Sequence, residues 1–223
     1  MDRRKFLSTG IAGTAVFASI SSVADTTADS NAVRIVGVSC SPREGKTTAT
    51  SVKAALDAAK TVDPRIKTEL LDLGGMKISG FCGAANPPKD DFDGILPKLK
   101  DPVPDGLIIG SPSYFRSMSA LCKAFLERLA VLRSPKLLLA DKPVGVLAVG
   151  AYRNGGQELV IEQIQAAMLC HEVMIVGGKP GAYQGATLWN NYNDDITKDE
   201  FGIDSARKLG IRVAEAALRL AQK

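Results

Sequence analysis

Between Ser39 and Thr48 the chain reads Ser-Cys-Ser-Pro-Arg-Glu-Gly-Lys-Thr-Thr, which places hydroxyls at Ser39, Ser41, Thr47 and Thr48 beside cations at Arg43 and Lys46. A short apolar run, Val33 to Val38, precedes this stretch, and an alanine-rich segment of helical character begins near Thr47. A strand turning into a helix there would aim the unpaired amides of the helix start into the space those side chains share. Such a convergence is a cradle for phosphate, and a monoester of about −1.5 to −2 charge suits its cations. A nucleoside triphosphate is the competing occupant, because Gly45-Lys46-Thr47 matches the end of a P-loop. That motif needs glycine where Cys40 stands, and the apolar run 106–110 leads into Ser111-Pro112 with no Asp for magnesium. A mononucleotide phosphate outranks a triphosphate.

Two further stretches could meet a flat ring. Gly110-Ser-Pro-Ser-Tyr-Phe-Arg-Ser-Met-Ser119 carries adjacent aromatics, Tyr114 and Phe115, among small residues that let backbone amides approach a ring edge. Gly150-Ala-Tyr-Arg-Asn-Gly-Gly-Gln-Glu158 offers paired glycines and another tyrosine. Either alone reads as ordinary packing. Together with the cradle they suit a planar heterocycle on a phosphorylated tail.

The elements that must position these stretches alternate. Apolar periodicity predicts strands at 33–38, 66–73, 106–110, 143–149 and 173–176, and helices at 47–61, 91–99, 119–132, 156–170 and 203–221. Strands joined through helices are parallel with right-handed crossovers, so the expected fold is α/β, a three-layer, doubly wound, five-stranded parallel sheet. Its ligand belongs beyond the carboxyl ends of the strands, where 39–48, 111–119 and 150–158 would meet. Two stretches escape the alternation: 80–90, an irregular loop with Cys82, and 181–199, an insertion whose Tyr183, Trp189 and Tyr192 read equally as a lid or as a dimer contact.

Composition bounds the rest. A chain of 223 residues, 45% of them hydrophobic but only 5% aromatic, fits one core of buried strands and helices. The net charge of +4 falls to +2 without residues 1–24, since Asp2 offsets one of Arg3, Arg4 and Lys5. That is too little to suggest nucleic acid. Cys40, Cys82, Cys122 and Cys170 match no zinc or cluster spacing, and a disulfide stays open. The apolar helical settings of Cys122 and Cys170 predict buried, inert thiols. His171, at a helix end, reads as a capping or interface residue favoured by the helix dipole, not as a metal ligand or catalyst.

The N-terminus, Asp2-Arg3-Arg4-Lys5-Phe6-Leu7, then the apolar run 11–20 and Ser22-Val23-Ala24, resembles a twin-arginine export signal. The run falls short of the roughly 20 residues of a membrane span, which favours cleavage over anchoring and leaves no span in the mature chain. The resemblance implies a signal at 1–24, a linker at 25–32, a domain at 33–223, periplasmic or otherwise exported localisation, and a cofactor loaded before export.

The domain resembles the flavodoxin-like FMN-binding superfamily, in particular the NAD(P)H-dependent FMN reductase and iron-sulfur flavoprotein group. The carrying motifs are Ser39-Cys40-Ser41-Pro42-Arg43 with Thr47-Thr48, Gly110 to Ser119 followed by Lys123-Ala124-Phe125 and Arg128, and Gly155 to Glu158, with His171 beyond. The resemblance implies FMN. Ser39, Ser41, Arg43, Lys46, Thr47 and Thr48 would hold its phosphate. Pro112, Ser113, Tyr114, Phe115, Arg116, Ser117 and Met118 would meet the ribityl chain and ring, and Ala151, Gly155 and Gly156 would lie on the ring's far side. The flavin would carry the chemistry, so no catalytic residue is nominated.

This chain departs from the group in three places. The stretch before the second helix keeps Cys82 where the iron-sulfur branch has four cysteines, so no iron-sulfur cluster is expected. Cys40 and Arg116 stand where the group usually has glycine. The implied function is an exported FMN-dependent oxidoreductase, taking electrons from NADH or NADPH and reducing a flavin, quinone or similar small acceptor, as a homodimer or higher oligomer with flavin near the subunit boundary. The alternatives are a flavodoxin-like carrier fed by a partner redox protein, and a phosphate-ligand binding protein without redox function.

Overall fold

The computed structural model describes residues 31–81, 83 and 89–221. The twin-arginine segment, most of the linker and Cys82 lie outside the described residues. The elements in chain order are β1 (Val33–Ser39), α1 (Thr47–Lys60), β2 (Ile66–Asp72), α2 (Phe92–Lys100), β3 (Gly106–Tyr114), β4 (Ser117–Met118) and α3 (Ala120–Arg128), which tightens into a 3-10 turn (Leu129–Arg133). After these come β5 (Pro143–Gly150), α4 (Gln157–Leu169), β6 (Met174–Ile175), β7 (Ala186–Trp189) and α5 (Glu200–Ala221).

The sheet runs β2-β1-β3-β5-β6, all parallel, with β4 folding back antiparallel on β3. This is the flavodoxin-like α/β fold, and strand order reverses between β1 and β3. Alternation along the central strands sorts the core into two layers. Ile35, Ile108 and Leu147 face α1 and α5, whereas Val36, Val38, Leu107, Ile109 and Val146 face α2, α3 and α4. Both faces are covered, so β5 is buried at every position.

Glycine lets α1 lie close on the sheet. A Cβ on Gly110 would come 2.6 Å from Val52 Cγ2, and one on Gly37 would come 2.5 Å from Val52 Cγ1. Thr47 and Thr48 are thereby seated directly beyond the ends of β1 and β3, buried at the start of α1.

Five expectations are corrected. The fifth strand is not one run over 173–176: β6 pairs only with Pro143 and Val144, and β7 resumes the same edge against Leu147 to Gly150. Gly177, Gly178, Pro180 and Gly181 break the strand between them, so part of the expected insertion belongs to the sheet. Helix α3 stops at Arg128, four residues early, and α5 starts three residues early because Asp199 Oδ1 accepts the Gly202 amide (3.1 Å). Cys170 is exposed, just past the end of α4, where Leu169 is also 57% exposed. His171 is buried, and burial, helped by the Arg133 charge, lowers its pKa. It is a neutral core imidazole, not a cation at a helix end.

Candidate functional site

The loop after β1 is built as an extension of the sheet. Cys40 N donates to Gly110 O (2.8 Å) and Leu73 N donates to Ser39 O (2.9 Å). Cys40 itself turns into the core beside Cys122, where burial, then Cys122 and Asp72, push its thiol well up, so it stays protonated. Asp72, ending β2, accepts the Gly45 amide (2.7 Å), and Gly45 turns the chain into α1 with φ +64°. Ser41 Oγ accepts the Arg43 amide (3.2 Å). Helix α1 then begins with no side-chain cap and no acidic residue in its first turn. Its orphan amides are left for a ligand.

The second wall is the β3–β4 hairpin. Tyr114 pairs with Ser117, so Phe115 (φ +50°) and Arg116 (φ +65°) form a two-residue turn of type I′ without glycine or asparagine. Left-handed backbone at two bulky residues is strain of the kind that gathers at functional loops. Gln163 of α4 holds the hairpin, its Oε1 accepting from Ser117 Oγ (2.8 Å) and Met118 N (3.2 Å). Ser113 Oγ donates to Gly155 O (2.6 Å), joining this hairpin to the loop after β5.

Ser119 locks the hairpin to the first loop. Its Oγ donates to Cys40 O (2.6 Å) and caps α3 by accepting the Cys122 amide (3.0 Å), while its own amide donates to Ser111 Oγ (3.1 Å). Ser119 and these three partners are all buried. Ser119→Ala should therefore destabilise the fold by about 1 to 2 kcal/mol, from a lost cap and a lost buried hydrogen bond. Urea unfolding checks this, with Ser119→Thr, which keeps the hydroxyl, losing distinctly less.

The loop 190–195, after β7, supplies the last wall. Asn190 N donates to Gly150 O (3.0 Å), and Tyr192 stacks on Tyr152 with centroids 6.1 Å apart and planes 29° from parallel. Asp194 reaches the first loop, its carboxylate 2.6 Å from Arg43 Nη1 and 3.8 Å from Lys46 Nζ. That hydrogen bond raises the Arg43 pKa further.

These four walls enclose a cavity of about 250 Å³. Of the residues expected there, Arg43, Thr47, Pro112, Ser113, Tyr114 and Ala151 line it. Ser39, Ser41 and Thr48 are buried behind it, and Lys46 stands at its rim through Asp194. Phe115 points into solvent, fully exposed. Arg116 and Gly156 instead line a neighbouring cleft of about 610 Å³, which also holds Arg153, Gln157 and Glu162. Ser117 and Met118 are engaged by Gln163, and Gly155 by Ser113. Sequence reasoning did not place Val149, Asn190 or Asp194 at the cavity, whereas Gly150 begins the expected 150–158 loop and Tyr192 was read equally as a lid or a dimer contact. The Asn, Asp and Tyr content of 190–195 was the available signal.

The residues present fit the phosphate of FMN. Ser39 Oγ is buried without a partner, α1 starts uncapped, and a carboxylate already sits as a stand-in anion between Arg43 and Lys46. The described cysteines form no cluster-binding set, and Cys82 lies outside the described residues. Cys40 and Cys122 are core residues and Cys170 lies beyond α4; among the described residues no group of His, Cys, Asp or Glu could hold a metal ion.

Comparison with known proteins shows the family and the fold. Residues 33–186 match the family described as NADPH-dependent FMN reductase. An iron-sulfur flavoprotein of Methanocaldococcus jannaschii is 37% identical over 191 residues, spanning 82% of this chain and 96% of that protein. The iron-sulfur flavoprotein of Methanosarcina thermophila is 31% identical, spanning 79% and 93%. Among solved structures, RosB with a bound 8-demethyl-8-formylriboflavin-5'-phosphate intermediate superposes with TM-score 0.67 at 15% identity, over 86% of this chain and 81% of that one. A WrbA-like flavodoxin from Agrobacterium tumefaciens gives TM-score 0.57 at 18% identity, over 84% and 98%. With the family match covering most of the domain and these relatives spanning nearly their full lengths, the chain belongs to the NADPH-dependent FMN reductase family of flavin-dependent oxidoreductases.

Proposed function

We propose that this protein binds FMN at the four-walled cavity, accepts electrons from NADH or NADPH, and reduces a flavin, quinone or similar small acceptor. The observation that carries the reading is the convergence of Arg43, Lys46 and the uncapped start of α1 on one anion position at the end of a cavity lined by Tyr114 and Ala151. Bound there, FMN would supply hydride and electron transfer. The residues of the chain bind and orient it. Arg43, Lys46, Thr47 and the α1 amides hold the charged tail, and Ser113 and Gly155 fix the hairpin against the far loop. Arg116 and Arg153 in the adjoining cleft give a reduced dinucleotide two cations for its pyrophosphate.

The twin arginines at Arg3 and Arg4 support export to the periplasm, and the single Cys82 of the 80–90 stretch supports a protein that holds no cluster. A fully exposed Phe115 at the rim supports a homodimer with the flavin near its boundary.

Anaerobic stopped-flow mixing of the FMN-loaded protein with NADH and with NADPH tests the reading. Flavin absorbance should bleach at a rate on the order of 1 s⁻¹ or faster with at least one donor. Bleaching by neither would favour the carrier that draws electrons from a partner redox protein, a reading to which the scarcity of nicotinamide outside the cytoplasm also lends weight. Purified protein that takes up no flavin would overturn both.

A further inference from the structure

We infer that Asp194 is an intramolecular substitute for the FMN phosphate, closing the cradle with the 190–195 loop and leaving it when a phosphorylated flavin binds. The inference rests on the FMN reading above and assigns this site a selector for the ligand's charge.

Three observations carry it. The Asp194 carboxylate occupies both cations of the cradle, at 2.6 Å from Arg43 and 3.8 Å from Lys46. A phosphate placed against the same cations would meet a like charge there, so the two anions exclude one another. Space points the same way. With the loop in place the cavity holds about 250 Å³, below the roughly 300 to 1,000 Å³ of ordinary small-molecule pockets. A whole mononucleotide needs the room this loop takes.

The loop is also built to move between fixed ends. Trp189 N is held by Asp199 Oδ2 (2.9 Å) and Asn190 N by Gly150 O (3.0 Å) on one side, and Ile196, 3% exposed, is packed in the core on the other. Between them Asn191, Tyr192 and Asp194 adopt left-handed backbone, with φ of +48°, +59° and +52°. For tyrosine that conformation is strained, and release from the cradle would relieve it. The described contacts that tie this middle portion to the rest of the protein include the Arg43 and Lys46 pairs and the Tyr152–Tyr192 stack. Both sides of the ion pair are about half exposed, so a singly charged tether there is weak. A dianion that also takes the α1 amides and a bidentate Arg43 displaces it. Riboflavin, which lacks the phosphate, has nothing with which to do so.

Apo-protein titrated with FMN and with riboflavin, followed by flavin fluorescence, tests this in wild type and in Asp194→Asn, a change at an exposed side chain. Asp194→Asn should bind FMN about fivefold more tightly and riboflavin as wild type does. Equal or weaker FMN binding by the variant would overturn the inference and make Asp194 a support that aims Arg43. Tighter binding of both flavins alike would also overturn it, by showing a loop that blocks the ring and not the phosphate. Wild type that binds FMN keeps the functional reading standing in either case, whereas failure of both proteins to bind FMN would overturn reading and inference together.

Discussion

Arg43→Ala combined with Lys46→Ala is expected to weaken FMN binding by about 100-fold while leaving riboflavin affinity within about twofold of wild type. A hydrogen bond to a charged group contributes about 1.5 to 3 kcal/mol, and two such contacts to one phosphate share a single anion, so their losses do not sum fully. About 2.7 kcal/mol, or 100-fold, is the size that follows. Binding should not vanish, because the amides at the start of α1 and the buried hydroxyls of Ser39, Ser41, Thr47 and Thr48 remain. The fold should tolerate the change, since both side chains are about half exposed. Fluorescence titration and urea unfolding together check both halves. A loss shared equally by riboflavin would move the phosphate away from these cations.

The same double change also frees Asp194, so the binding loss reports the difference between two anions competing for one cradle. Comparison with Asp194→Asn separates them: the aspartate term acts on the empty protein and the phosphate term on the loaded one.

The site was legible where chemistry and periodicity coincide along the chain, as at the β1 to α1 passage, where apolar strand, hydroxyl and cation cluster, and helix follow within thirty residues. It was not legible where the contributing residues are remote. Asp194 lies 151 residues from Arg43, and no local pattern announces an ion pair across that distance. β7 escaped because Ala186 to Trp189 is four residues long and follows a glycine-rich break, too short for alternation to stand out. The Phe115–Arg116 turn escaped for a different reason. Its left-handed residues lack the Asn-Gly chemistry by which such turns are recognised, so the strand–turn–strand geometry had no sequence sign. Cys170 was misread because an apolar helix was taken to be buried to its end, whereas after the buried Met168 both Leu169 and Cys170 turn to solvent.

Arg128→Ala is the substitution expected to cost the fold most, about 3 kcal/mol, and the reason lies on the far side of the sheet from the cradle. Arg128 is 4% exposed, with Nη1 2.5 Å from the nearly buried Asp90 carboxylate and its guanidinium 4.8 Å over the Phe92 ring. Asp90 also accepts the amides of Ser79 (2.8 Å) and Phe92 (3.1 Å), while the neighbouring Glu127 accepts the Phe81 amide (2.7 Å). Two adjacent side chains of α3 thus pin the residues at both ends of the 80–90 stretch. Truncating Arg128 strands a carboxylate away from water, and breaking one side of a buried pair is costly for that reason.

Charge and packing can be told apart by pH. Burial works against the ionised Asp90, but the Ser79 and Phe92 amides and Arg128 outweigh it, so its carboxyl lies below the ordinary range. A depressed carboxyl contributes stability above its unfolded pKa of about 3.9 and loses it as pH falls toward the folded value. The wild-type advantage over Arg128→Ala in urea should therefore be widest near neutral pH and narrow below about pH 4. An advantage that stayed constant down to about pH 3 would assign the loss to the stacking of Arg128 on Phe92 and not to its partner's charge.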